Sequence, residues 1–323
     1  MQFKKLLKHT AWITSAAAVL LNALAFSQAW RLTHYRRKAS PKLPDSLTPQ
    51  EQRAMGLWGV DQPRPENVQL PRHPHETVYI EGRQRIEAWY IRAAQPRGTV
   101  LMFHGYTSHK STLLDKAEVL VDVLQYDVLL VDFPGSGGSE GDKTSIGYHE
   151  AQDVQTVFDH MQAQNVPNLI LFGTSMGAVS ILKALHDYAL PAQAIIIECP
   201  FGTMYQAISN RFENLGIPQT PMAGLMVLWG GLLHGFWAFG HQPVRYAPKV
   251  SCPTLLLWGE KDEKVRRHEI EAVFAQLAGP KTLVTLPEAG HADFMAHHPD
   301  LWTDTVAAFL GQVPGNRHET QSK

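Results

Sequence analysis

The chain has 323 residues, 44% hydrophobic and 18% charged, with 29 basic against 30 acidic side chains and a net charge of −1. That balance excludes a disordered chain, which combines low hydrophobicity with high net charge, and a nucleic-acid binder working through a broad basic face. Two cysteines, Cys199 and Cys252, build neither a disulfide framework nor a four-cysteine zinc site.

Lys4, Lys5 and Lys8 precede an uncharged run from Thr10 to Trp30, and Arg31, Arg36, Arg37 and Lys38 follow it. A run of about twenty residues is long enough to cross a roughly 30 Å hydrocarbon layer as a helix. Residues 1–38 therefore read as a membrane segment. It is either a retained transmembrane anchor or, with Ala23-Leu24-Ala25 after an apolar run, a cleaved leader of an exported or periplasmic protein. Basic residues on both flanks leave the side of the membrane open. Residues 39–76 carry seven of the 21 prolines and read as an extended connector. Its one helix signal is Thr48-Pro49-Gln50-Glu51, with a capping hydroxyl, a proline at the first helical position and a glutamate three residues on.

From residue 77 the texture changes. Residues 77–81 and 86–92 read as a hairpin around Glu81-Gly82-Arg83. Apolar runs then follow at 100–103, 128–131, 169–172, 194–197, 254–258 and 282–286. Their near-continuous apolar character predicts strands buried on both faces. Between and after them, Val265, Ile270, Val273, Phe274 and Leu277, and later Leu301, Trp302, Val306, Phe309 and Leu310, keep helical spacing. Alternating strands and helices predict an α/β domain over 77–313, a mostly parallel sheet with helices on both faces. The alternation breaks once, at about 201–249, where residues 222–240 hold Trp229, Phe236, Trp237 and Phe239. A membrane crossing there would divide the sheet, so this interval reads as an inserted helical cap. Residues 314–323 form a polar tail.

The strongest chemical signal is Gly173-Thr174-Ser175-Met176-Gly177, which follows the run at 169–172 and opens the helical pattern Val179, Ile181, Leu182, Leu185. A serine on a sharp strand-to-helix turn needs small neighbours two residues to either side. The turn raises its hydroxyl into the crevice at the carboxyl edge of the sheet. A serine hydroxyl is a weak nucleophile without a base, and the base needs an orienting acid. Two later strand ends offer them: Asp262 in Gly259-Glu260-Lys261-Asp262, and His291 in Pro287-Glu288-Ala289-Gly290-His291. The order serine, acid, histidine suits this architecture. Glu198, ending the strand before the cap, is an alternative acid.

With Phe103-His104-Gly105-Tyr106 and Asp132-Phe133-Pro134-Gly135-Ser136-Gly137-Gly138-Ser139 added to these motifs, the sequence from about residue 77 to 310 resembles the α/β-hydrolase fold family. The resemblance implies Ser175 as nucleophile, His291 as general base and then acid, and Asp262 as orienting carboxylate. It also implies an oxyanion hole from the backbone N–H groups of Tyr106 and Met176. Within the family the chain is most similar to the branch of lipophilic-ester, thioester and aminopeptidase-like enzymes, whose members often carry an N-terminal membrane segment. The glycines and second proline of the iminopeptidase signature are replaced by Tyr106-Thr107-Ser108, which lowers a peptidase reading. The expected function is a serine hydrolase of esters or thioesters, needing no metal or organic cofactor. Its substrate would be a lipid-like acyl compound, with Trp229, Phe236 and Trp237 as candidate walls of the acyl pocket. The rivals are a serine peptidase and a non-catalytic membrane-tethered binding protein.

Other motifs carry less. Glu140 stands where a dinucleotide fingerprint needs its third glycine. His291, Asp293, His297 and His298 are spaced closely enough for a metal cluster, although helix-end packing accounts for the last two. His104 reads as a structural holder of its loop, and Cys199 as a small buried residue.

Overall fold

The computed structural model describes residues 2–36, 48, 50 and 59–313, with the side chains of 2–11 and 13 excepted. Pro49 and Glu51 of the helix signal at 48–51 and the polar tail at 314–323 lie outside the described residues. The chain begins with α1 (Gln2–Thr33), followed by the short parallel pair β1 (Tyr35–Arg36) and β2 (Gln62–Pro63). The antiparallel hairpin is β3 (His75–Ile80) with β4 (Ile86–Ile91), Thr77 facing Trp89. Then come β5 (Thr99–Phe103), α2 (Leu114–Glu118), β6 (Asp127–Val131), α3 (Glu150–Ala163), β7 (Leu169–Thr174), α4 (Met176–Tyr188) and β8 (Ala194–Glu198). The insertion holds α5 (Met204–Asn214), α6 (Met222–His234) and α7 (Pro243–Tyr246). The chain returns through β9 (Thr254–Gly259), α8 (Arg267–Gln276), β10 (Lys281–Leu286), α9 (Phe294–His297) and α10 (Pro299–Gln312).

Eight strands form one sheet in the order β10-β9-β8-β7-β5-β6-β4-β3. Only the pairs β3–β4 and β4–β6 are antiparallel. Every residue of β5, β6, β7, β8 and β9 is buried, as helices on both faces require. Each buried Val, Leu or Ile there contributes roughly 1.5–3 kcal/mol over its exposed state. β10 departs from the expectation of strands covered on both faces. It is an edge strand, and only Leu286 of its six residues is buried, with Thr282 and Thr285 exposed.

The N-terminal segment also departs from expectation. Among the described residues no helix is long and apolar enough to cross a membrane. α1 has the length, at 32 residues, but Thr14, Ser15, Asn22, Ser27 and Gln28 dilute its uncharged run. Its second half is instead part of the protein core, with Ala25, Ala29 and Leu32 buried against the rest of the chain and the helix packed along α6 of the insertion. Asn22 Oδ1 accepts the indole N–H of Trp229 at 3.3 Å, and Phe26 meets the Trp229 ring edge-on at 5.4 Å. Past the helix, Thr33 O accepts Thr144 N–H at 3.0 Å and Tyr35 N–H donates to Asp142 O at 2.7 Å.

Candidate active site

The site is assembled where β5, β7, β9 and β10 end. β7 runs into α4 through Ser175, whose backbone sits at φ 52° and ψ −109°, a region that a side-chain-bearing residue occupies only under strain. The surroundings enforce it. A Cβ at Gly173 would lie 2.6 Å from backbone atoms of Gly177 and Ala178, and one at Gly177 only 2.2 Å from Phe103 O. Both glycines are therefore required by close backbone approach. Ser175 N–H donates to Glu198 O at 2.7 Å, and Val179 N–H returns to Ser175 O at 3.0 Å, so turn and helix hold each other.

Around that hydroxyl the three predicted side chains meet. The Nε2 atom of His291 lies 3.0 Å from Ser175 Oγ, and its Nδ1 lies 2.8 Å from Asp262 Oδ2. Asp262 comes from the loop after β9 and His291 from the loop after β10, 29 residues apart in sequence. Asp262 Oδ1 accepts the backbone N–H groups of Lys264 and Val265 at 2.8 and 2.9 Å. Burial alone would raise the Asp262 carboxyl, but the hydrogen bond and charge of His291 and these two amides bring it below its ordinary value. It therefore stays ionised at neutral pH and fixes Nδ1 as the protonated nitrogen, leaving Nε2 as an acceptor for the serine proton.

The Phe103–Tyr106 loop crosses in front of this group. A Cβ at Gly105 would lie 3.5 Å from that of Ser175. Among the described residues, the backbone N–H groups of Tyr106 and Met176 donate no loop or turn hydrogen bond. That leaves both available for an oxyanion. His104 is buried, accepts Phe133 N–H at Nε2 (3.1 Å) and sits 2.8 Å from Gly105 O through Nδ1. Burial lowers its pKa, so it is a neutral brace between two loops. The Tyr106 phenol reaches away from the serine and donates to Leu32 O at 2.5 Å, tying the loop to the end of α1. Thr144 Oγ1, beside the same helix end, lies 3.3 Å from Met176 Sδ.

The alternative acid is placed elsewhere. Glu198 is fully buried and accepts Lys116 Nζ at 2.6 Å, Thr174 Oγ1 at 2.8 Å and Trp302 Nε1 at 2.9 Å. It thus braces the turn from beneath and leaves His291 to Asp262. Cys199 is the residue that sequence reasoning left in the background. Its backbone has φ 49°, and burial followed by the charges of Asp262 and Glu198 pushes its thiol well above the ordinary range. Its sulfur, an Asp262 oxygen and a His291 nitrogen lie within 4.8 Å of one another. Among the described residues this is the one cluster of metal-ligand atoms, and two of its members are already engaged with each other and Ser175. His297 pairs instead with Asp293 at 3.2 Å, and His298 with the Pro287 carbonyl. Neither joins His291.

Of the three aromatic residues expected to wall a pocket, Phe236 lines an apolar crevice between α1 and the insertion. Trp229 does not line it, being spent on α1, and Trp237 is 66% exposed.

The profile of the family described as "Serine aminopeptidase, S33" matches residues 94–229. The chain is similar to the Bacillus subtilis protein YqkD, 25% identical over 71% of this chain and 76% of the relative. It is also similar to a Xenopus laevis monoacylglycerol lipase, 22% identical over 69% of this chain and 79% of that one. An esterase from Pyrococcus furiosus has a similar structure, with a TM-score of 0.61 at 18% identity over 86% of this chain and 99% of the esterase. That level of likeness shows the fold. With the eight-stranded sheet, the strained serine turn and these relatives in agreement, the chain has the α/β-hydrolase fold.

Proposed function

We propose that the chain is a serine hydrolase that cleaves a carboxylic ester or thioester with a lipophilic acyl group. The observation that carries this reading is the continuous path from Asp262 through His291 to Ser175 Oγ, with links of 2.8 and 3.0 Å. In the proposed cycle His291 Nε2 takes the Ser175 proton as Oγ attacks the acyl carbon. The Tyr106 and Met176 amides hold the oxyanion, and His291 passes its proton to the departing alcohol or thiol. A water molecule then gives its proton to His291, attacks the acyl-enzyme and releases the acid, restoring Ser175. The lipase and esterase named above support an ester substrate, and the apolar crevice supports a lipid-like one.

A membrane surface belongs to the same reading. Trp12, Val19, Leu20 and Phe26 on α1 and Leu232 and Trp237 on the insertion are exposed, and such patches mark surfaces that meet lipid or protein.

The test is a series of p-nitrophenyl esters from acetyl to palmitoyl, using the whole chain because the second half of α1 packs into the core. Wild type should hydrolyse them. Ser175→Ala should lose at least about 10³-fold in kcat with its melting temperature kept, and full turnover by that variant would overturn the proposal. A second reading, a serine aminopeptidase, is favoured by the family whose profile matches residues 94–229. It predicts cleavage of aminoacyl amides in preference to the esters.

A further inference from the structure

The peptide between Gly105 and Tyr106 carries one of the two amides assigned to the oxyanion. A trans peptide is planar, so its C=O and N–H point opposite ways. His104 Nδ1 sits 2.8 Å from Gly105 O, and the Tyr106 N–H is turned to the other side. Directly after it the chain bends sharply. Thr107 has φ 54°, an outlier for a β-branched residue, and such a backbone persists only where its surroundings over-determine it.

Those surroundings include the end of α1. The Tyr106 phenol donates to Leu32 O at 2.5 Å, a carbonyl of the last helical turn, which has no intrahelical donor. Three residues on, Tyr35 is buried, and its hydroxyl faces the Thr107 backbone N–H and the Thr144 hydroxyl. The helix end is itself anchored, with Thr33 O accepting Thr144 N–H at 3.0 Å and Tyr35 N–H donating to Asp142 O at 2.7 Å. Thr144 Oγ1 in turn lies 3.3 Å from the side chain of Met176, the residue that bears the other amide. Both oxyanion donors thus belong to segments fastened to one helix end.

We propose that the end of α1 is a working part of the oxyanion hole. Leu32 O and Tyr35 clamp the Tyr106–Thr107 turn and so hold the Tyr106 N–H towards the acyl oxygen, with the Tyr106 phenol and Tyr35 as positioning residues. The inference rests on the serine-hydrolase reading and gives the N-terminal segment a part in the reaction. A donor stabilises the transition state in full only when it is aimed before the charge develops, and a turn free to swing loses that aim. The loss falls on the rate of the chemical step and leaves ground-state binding unchanged.

The experiment follows the labelling of Ser175 in the whole chain by an ethyl fluorophosphonate, read by intact mass. It separates the maximal labelling rate from the reagent concentration that gives half of it. Ser175 Oγ forms the bond to phosphorus, fluoride leaves, the serine proton departs through His291, and the phosphoryl oxygen takes the place of the oxyanion. Tyr106→Phe should lower the maximal rate about tenfold and Tyr35→Phe about threefold, the pair approaching the roughly 10²-fold of a lost oxyanion donor. The half-saturating concentration should stay, and so should the acid limb of the pH profile, which reports His291. Tyr90→Phe is the control for lost stability. It deletes another buried hydroxyl bond, to Asp127 at 2.8 Å, and should label at the wild-type rate. Tyr35→Phe alone carries the test if the phenol at 106 proves necessary for folding. Unchanged rates in the Tyr106 and Tyr35 variants, a loss matched by Tyr90→Phe, or a loss with a displaced acid limb overturns the inference and leaves the hydrolase reading standing. Folded wild type that takes up no label overturns the hydrolase reading, and this inference with it.

Discussion

The floor and the roof of the cleft are built on opposite principles. The floor, at the carboxyl ends of β5, β6, β7, β8 and β9, is polar, buried and richly hydrogen-bonded. Glu198 alone accepts three side-chain donors, and Asp132 takes the backbone N–H groups of Lys110 and Gly138 at 2.7 and 2.9 Å as well as the Lys110 ammonium. The roof of α1, α5 and α6 is apolar and loosely closed, with Leu232 and Trp237 more than half exposed. Preorganised polar groups hold reacting atoms to within fractions of an ångström, whereas apolar surfaces accept a family of shapes. Under the proposed function, the chemistry falls to the floor and the choice of acyl group to the roof.

Three variants test how separate the two layers are, beginning with the largest expected effect. Asp262→Asn keeps the shape of the floor but offers an N–H to His291 Nδ1, forcing the proton to Nε2, where it faces Ser175 and blocks base catalysis. kcat should fall by about 10⁴-fold, with the preference among ester chain lengths unaltered. A change in that preference would mean that floor and roof are coupled.

Lys116→Met removes the cation paired with Glu198. An uncompensated charge left in a buried site costs about 3–5 kcal/mol, read as a lower denaturant midpoint. If stability is untouched, the floor is less saturated than its bonds imply.

The smallest effect lies outside both layers, at Asp153 on α3. Its side chain is fully buried, with Oδ2 held by Arg83 at 3.0 Å and Oδ1 without a partner. Burial, against the pull of Arg83, raises its pKa to about 7. An acid whose folded pKa lies above its unfolded value of roughly 3.9 contributes stability that is full below that value and is lost as pH rises through 7. Melting curves should show Asp153→Asn gaining on wild type from pH 4 to 8, by at most about 1.4 kcal/mol per pH unit. Parallel pH profiles for the two proteins would remove the assignment.

The sequence was legible where the signal is local. The serine turn lies within five residues, and the buried strands are runs of four or more apolar side chains. Asp262 and His291 could be found because each follows such a run directly, and the architecture fixes what a loop at that edge can reach. The roof was only half legible. Met222–His234 is a helix of the insertion as its apolar stretch suggested, and it ends at Gly235 with φ 72°, a conformation that favours glycine. What α6 packs against was not readable, because the partner of Trp229 is 207 residues away. An uncharged run that buries one face in its own protein carries the same composition as one meant for lipid. The role of Glu198 was hidden for the same reason, since Lys116 and Trp302 lie 82 and 104 positions away.

That separation in sequence has a consequence for biosynthesis. Ribosomes add roughly 5–20 residues per second, so α1 is made roughly 10–40 s before the α6 residues that cover it. During that interval Ala25, Ala29 and Leu32 have no α6 to pack against, so the apolar face of the helix can close only after residues 222–234 are made.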